Sequence, residues 1–214
     1  MRHNDPVTHY FETPTTPAEE FTIPVTLWGK AVELTSSPGV FSGHRLDPGT
    51  AVLLRTVAPP DGATPDTTLL DLGCGLGPIA LALALHTPAT IYAVDVNARA
   101  VALTAKNAQR LGVADRVHAL APDQVDPALC FDEIWSNPPI RIGKPALHSL
   151  LATWLTRLSP PGRAYLVTAK NLGADSLAAW LNTEGFPTEK LASAKGYRVL
   201  RVGPLSATAP HAAD

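Results

Sequence analysis

The chain has 214 residues, 45% of them hydrophobic and 17% charged, and a net charge of −2. That is enough for one domain with a sizeable core, and it offers no run of about 18 apolar residues that could span a membrane. The near-neutral balance argues against wholesale wrapping of nucleic acid, which needs a basic footprint, although a local basic patch would be enough for an RNA substrate.

Residues 1–20 carry few apolar side chains and are expected to form a partly flexible arm. Residues 21–36 alternate as a hairpin with a turn at Gly29-Lys30, Pro24 marking an edge strand. After the loop Ser37-Pro38-Gly39-Val40-Phe41-Ser42-Gly43, Asp47-Pro48 opens a helix to about Val57, with Asp as N-cap and Pro in the first turn. Strands then alternate with helices. Strands are expected at 69–72, 90–94, 116–120, 133–136 and 164–168, and helices at 78–85, 98–111, 146–158 and 176–182. Gly112 closes one helix and Pro160-Pro161-Gly162 stops another. Two final strands, 186–193 and 197–202, meet at Lys195-Gly196 and form an antiparallel edge. Repeated βα units imply an α/β fold: a Rossmann-like, doubly wound sheet of seven strands, mostly parallel, behind a short N-terminal β-hairpin. This gives one domain over 21–203, with the hairpin at 21–36 and the core at 46–203, and a disordered tail at 204–214.

Two cysteines, Cys74 and Cys130, make no disulfide framework and fit a reduced cytoplasm. The first residues lack the apolar segment of a secretory signal. No Cys/His grouping has metal-ligand spacing, so no metal is expected.

In such sheets ligands bind outside the carboxyl ends of the strands, at the topological switch point. The first core strand runs into Asp71-Leu72-Gly73-Cys74-Gly75-Leu76-Gly77-Pro78. Gly73, Gly75 and Gly77 allow backbone to approach a ligand closely, but the loop lacks the last glycine of the G-x-G-x-x-G dinucleotide fingerprint, and Pro78 stands at the helix start. Asp71 would repel a pyrophosphate and suits the cationic amino end of a methionine moiety. The loop therefore favours S-adenosylmethionine over a dinucleotide. Asp95 ends the next strand, where a carboxylate can accept from both ribose hydroxyls. Val96 and Asn97 either face the adenine or cap the following helix, and Asp123 follows the third strand. Cys74 fills space beside the ligand.

Ser136-Asn137-Pro138-Pro139-Ile140 ends the fourth core strand. Two prolines restrict the backbone and remove donors, so the Asn137 amide oxygen and a free Pro138 carbonyl converge on one point, as an NH₂ group in need of orientation requires. Arg141, Lys144, Lys170, Lys195, Arg198 and Arg201 could form the local basic patch.

With these residues named, the chain resembles the catalytic domain of class I S-adenosylmethionine-dependent methyltransferases, and most closely the ribosomal RNA small subunit methyltransferase C family of guanine-N2 methyltransferases. The resemblance runs from about residue 9 to 202. It rests on His9-Tyr10-Phe11, Pro38-Gly39-Val40-Phe41-Ser42, Leu46-Asp47-Pro48-Gly49-Thr50, the glycine loop, Asp95-Val96-Asn97, Ser136 through Lys144, and Lys195-Gly196-Tyr197. It implies cofactor contacts from Asp71, Gly73, Gly75, Asp95, Asp123 and Asn137, with Phe41 and Ser42 closing over the methionine end. It also implies direct transfer of a methyl to an exocyclic amine held by Asn137, Pro138, Pro139 and Ile140, with ribosomal RNA or the small ribosomal subunit as partner. The chain departs from the family in two respects. Ile140 stands where many exocyclic-amine methyltransferases place an aromatic, and a short hairpin replaces the additional N-terminal domain of longer members. The same Asn-Pro-Pro geometry would hold a protein glutamine amide or a small-molecule amine, and a non-catalytic cofactor- or RNA-binding module would keep the fold without turnover.

Overall fold

The computed structural model describes residues 19–40 and 44–204, apart from the Arg141 side chain. The expectations for the arm up to residue 18, for Phe41 and Ser42, and for the tail from residue 205 lie outside the described residues.

A hairpin comes first: β1 (Phe21–Leu27) and β2 (Lys30–Ser36) pair antiparallel from Leu27↔Lys30 to Phe21↔Ser36. Its turn is Trp28-Gly29, one residue earlier than the expected Gly29-Lys30, because both central positions take positive φ, 42° and 85°, and Lys30 is already paired. A two-residue turn of that hand matches the twist of the flanking strands.

The core follows as α1 (Pro48–Thr56), β3 (Thr68–Leu72), α2 (Pro78–His86), β4 (Thr90–Val94), α3 (Ala98–Arg110), β5 (Val117–Leu120), β6 (Phe131–Ser136), α4 (Lys144–Leu155), β7 (Leu158–Ala169), α5 (Ala174–Thr183), β8 (Thr188–Ala194) and β9 (Tyr197–Val202). Seven strands lie in the order β5-β4-β3-β6-β7-β9-β8, with β3 to β7 parallel and β9 antiparallel to both neighbours. The chain starts in the middle at β3, builds out to β5, then crosses to β6. The switch point therefore lies between β3 and β6, where the Ser136 hydroxyl donates to the Leu72 carbonyl at 2.6 Å.

Period-2 alternation sorts the side chains into two layers. Leu69, Ile91, Ala93, Trp135, Tyr165, Val167 and Val199 pack with α1, α2, α3 and the hairpin. Leu70, Val94, Ile134, Ala164, Leu166 and Leu200 pack with α4 and α5. Helix α2 is apolar on every side because it is buried between sheet and hairpin.

The hairpin is bound to the core by directed bonds as well as packing. The Trp28 indole donates to the Leu54 and Val57 carbonyls at the end of α1, at 2.5 and 3.0 Å. The buried Asn107 amide accepts from the Thr35 N–H at 2.7 Å and donates to the Thr35 and Leu76 carbonyls at 3.0 and 3.1 Å. Among the described residues no helix is long and apolar enough to cross a membrane.

Several expected boundaries move. Helix α4 stops at Leu155, not 158. Strand β7 begins at Leu158 and runs on past Pro160-Pro161-Gly162. Those residues bulge away between the pairs Phe131↔Leu158 and Glu133↔Arg163, which leaves the prolines exposed and outside the ladder, where a missing donor costs nothing. Phe186 precedes β8. It is buried, and its N–H donates to Leu181 O at 2.9 Å, closing α5.

Candidate active site

A cavity of about 400 Å³ opens at the carboxyl ends of the parallel strands. Of the residues expected at the site, Gly73, Gly75, Asp95, Val96, Asn97, Asn137, Pro138, Pro139 and Ile140 line it. Sequence reasoning missed others as wall residues: Asp47, Leu150, Trp154, Leu172 and Tyr197 among them.

The glycine loop is held from behind. Gly73 and Cys74 donate to the Val94 carbonyl at 2.8 and 3.0 Å, Gly77 donates to the Cys74 carbonyl, and the Gly75 N–H donates to Asp95 Oδ2 at 2.9 Å. Asp95 Oδ1 accepts from the Asn97 N–H at 2.9 Å. With the Val96 N–H, three backbone donors point at this carboxylate, which keeps capacity for a further donor. Burial pushes this carboxyl up, against the pull of the Asn97, Gly75 and Val96 N–H groups, so a donor-rich ligand would relieve it. Asn97 caps α3, accepting from the Arg99 and Ala100 N–H groups, and donates to the Gly39 carbonyl at 3.0 Å. Val96 is 58% exposed on the cavity lip.

Five of the residues expected to hold the cofactor do not reach this cavity. Asp71 shares its sheet face with Leu69, so it points under α2: Oδ2 accepts from the Ala80 N–H at 2.9 Å, and Oδ1 is buried with no partner among the described residues. Its carboxyl is pushed up to about 7, first by burial. Cys74 is buried behind the loop with its sulfur 3.6 Å from the Thr104 hydroxyl. Burial and the two nearby aspartates push its thiol well up, so it is not a nucleophile. Gly77 and Pro78 stand at the start of α2. Asp123 is exposed in the short turn after β5, where its neighbour Pro122 lines the cavity instead.

Asn137 is oriented without ambiguity. Its Nδ2 donates to Asp47 Oδ1 at 2.7 Å and to Thr50 Oγ1 at 3.1 Å. Both amide protons are committed, which leaves Oδ1 as the open acceptor. The Pro138 carbonyl is not free as expected. It accepts from the Ile140 N–H at 2.8 Å across Pro139, whose φ −73° and ψ 75° make an inverse γ-turn. Only its second lone pair remains. Tyr197, paired with Ala169 at the end of β7, forms another wall, and burial pushes its phenol up, with Asp47 adding to the shift.

Lys144, Lys170 and Lys195 are exposed at the rim, not in the wall. Lys170 lies between the lining residues Ala169 and Leu172, and its N–H donates to the Gly196 carbonyl beside Lys195. Lys144 Cε lies 4.0 Å from where a Cβ on Gly173 would be. None of the three forms an ion pair among the described residues. Arg198 and Arg201 are instead paired with Asp175 and Glu189 on neighbouring elements.

A sheet of this order, with a glycine loop after its first strand and an acid ending the next, is a nucleotide-binding framework that fits an S-adenosylmethionine-dependent methyltransferase. The chain belongs to the methyltransferase small domain family, which matches residues 31–201. It is 33% identical to the uncharacterized protein YbxB of Bacillus subtilis, over 90% of this chain and 96% of that one. It is 30% identical to the ribosomal RNA small subunit methyltransferase C of Alcanivorax borkumensis, over 81% of this chain and 54% of that one, and 30% identical to the ribosomal protein L11 methyltransferase of Methylococcus capsulatus, over 78% and 55%. The chain thus spans nearly all of YbxB but about half the length of the two named methyltransferases. It shares its fold with the T. thermophilus 16S rRNA N2 methyltransferase RsmC, solved with AdoMet and guanosine. The TM-score is 0.76 at 24% identity, covering 89% of this chain and 52% of that one.

Proposed function

We propose that this methyltransferase acts on an exocyclic amine, the N2 of guanine in ribosomal RNA of the small subunit, in the cytoplasm. The observation that carries the reading is the Asn137 amide: with both protons held by Asp47 and Thr50, it presents an acceptor and no donor to the cavity. An NH₂ group is recognised by such an acceptor, and a carbonyl is refused.

S-adenosylmethionine fits the other half of the cavity. Asp95 has unused acceptor capacity for vicinal hydroxyls, Val96, Ala100 and Pro122 offer apolar surface for a purine, and Gly73 and Gly75 present backbone to the methionine moiety. Asp71, behind the loop, adds negative potential toward a cationic ligand in its ionised form, which its carboxyl takes as pH rises through about 7. When bound, the cofactor supplies an electrophilic sulfonium methyl, so position and electrostatics are the chain's task. Asn137 Oδ1 accepts one N–H of the target amine, which aims the nitrogen lone pair and stabilises the positive charge growing on nitrogen. The surplus N–H proton leaves to water. Lys144, Lys170 and Lys195 would hold phosphates flanking a base presented unstacked.

A second reading, a protein glutamine amide or a small amine, is favoured by Ile140, which supplies no aromatic ring beside Pro139. Methyl-labelled S-adenosylmethionine, offered with undermethylated small subunits, naked ribosomal RNA and protein extract, separates the two. Label is expected in N2-methylguanosine. Label confined to protein or small molecules would overturn the RNA reading.

A further inference from the structure

Asp47 stands 90 positions before Asn137 in the chain, yet its carboxylate is the anchor of the Asn137 amide. One oxygen, Oδ1, accepts the Gly49 and Thr50 N–H groups at 2.7 and 3.0 Å, capping α1, and also the Asn137 Nδ2–H at 2.7 Å. Three donors on one oxygen exceed what a helix cap requires. The cap alone would be served as well by Ser or Asn, and neither would set an anion against the amide. Asp47 also lines the cavity, and the buried Thr50 hydroxyl takes the second amide proton.

We infer that Asp47 is a positioning residue that both locks the rotamer of Asn137 and raises the acceptor strength of its Oδ1 through a charge-assisted hydrogen bond. An anion bonded to Nδ2–H draws the proton and pushes electron density through the conjugated amide onto Oδ1, so the bonds in the chain carboxylate–amide–amine reinforce one another. As the target nitrogen becomes positive, the acceptor beside it is already polarised in the helpful sense. The start of α1 is thereby coupled to the end of β6, and α1 serves as a strut for the reacting group. This inference rests on the proposed orientation of an amine by Asn137, but not on which amine is methylated.

Two substitutions separate charge from cap. Asp47→Asn keeps the cap and an oxygen facing Asn137 but removes the charge. Asp47→Ser keeps the cap but is too short to reach. For Asp47→Asn, kcat on the substrate that wild type labels is expected to fall about tenfold, with KM, cofactor Kd and Tm unchanged. A cap or packing defect would lower Tm instead. A second readout needs no substrate: the ¹⁵N-resolved side-chain amide protons of Asn137, assigned by their loss in Asn137→Ala, should exchange slowly in wild type and Asp47→Asn and rapidly in Asp47→Ser. Wild-type kcat in Asp47→Asn overturns the polarising role, and slow exchange in Asp47→Ser overturns the anchoring role. If wild type labels no RNA, the guanine reading fails by itself, and the exchange measurement still decides whether Asp47 anchors Asn137.

Discussion

A Cβ on Gly77 would sit 2.8 Å from Cγ2 of Thr104 and 3.0 Å from its hydroxyl. Thr104 cannot turn aside, because that hydroxyl donates to the Gly75 carbonyl at 2.9 Å. Gly77 also has φ +84°, where any other side chain is strained. Gly77→Ala is therefore expected to push the loop off Thr104 and weaken cofactor binding by about tenfold or more, on top of a strain of about 1–3 kcal/mol. Titration calorimetry with S-adenosylmethionine checks it. Gly112→Ala is the comparison: φ is +69° with open space around it, so about 1 kcal/mol of stability should go and cofactor affinity should stay.

The pH dependence of stability should carry the mark of Asp71. Its carboxyl stands at about 7 in the fold against 3.8 unfolded, so the folded state binds the proton more tightly. Its contribution is full below the unfolded value and is lost as pH rises through about 7. At about 1.4 kcal/mol per unit, the loss amounts to a few kcal/mol. Urea denaturation from about pH 5 to 8 should show stability falling in wild type and a flatter profile in Asp71→Asn.

Asn107 should be the most costly polar residue in the hairpin attachment. Asn107→Leu leaves the Thr35 N–H and the Thr35 and Leu76 carbonyls without partners in a dry layer. Each unsatisfied group costs about 1–3 kcal/mol, so a loss of about 3 kcal/mol or more is expected by chemical denaturation. Hydrogen exchange should accelerate along β2 before the central strands.

Tyr197 lines the cavity, and under the proposed RNA reading its ring would serve in place of the one missing at Ile140. Stacking on a base contributes about 1–3 kcal/mol, so Tyr197→Ala should raise the KM for RNA about tenfold or more, while Tyr197→Phe should change it little. Gly49→Ala should combine the KM effect of Tyr197→Ala with a fall in kcat, since its Cβ would meet the Tyr197 ring at 2.8 Å and Asp47 Oδ1, the anchor of Asn137, at 2.9 Å.

Most of the architecture is legible in the chain because strands and helices keep distinct periods and glycine or proline punctuates them. The hairpin turn and the stretch around Pro160-Pro161-Gly162 mislead because a short polar run and a proline pair read as breaks, whereas the pairing partners that absorb them lie elsewhere in the fold. At the site, the loop and the Asn-Pro-Pro segment are visible because their chemistry is contiguous. Asp47 reads as a helix cap, which it is, but its bond to Asn137 spans 90 positions and leaves no local trace. Trp154 and Leu150 read as one face of an amphipathic helix. Only the packing of α4 against β6 and β7 turns that face toward the cavity. Asp71 misleads differently: residue type and position suit a ligand contact, but strand parity turns its side chain beneath α2.

Asn97 holds the first turn of α3 with its oxygen and the Gly39 carbonyl with its nitrogen, while the neighbouring Arg99 guanidinium grips Pro38 O at 2.7 Å. Val40, just beyond, is a wall of the cavity. Asn97 and Arg99, on one turn of α3, thus fasten the Pro38-Gly39 backbone beside that wall. A ligand too wide for the space at Val40 must displace the turn of α3 and the Pro38-Gly39-Val40 segment together. That corner of the wall works as a calliper rather than a hinge.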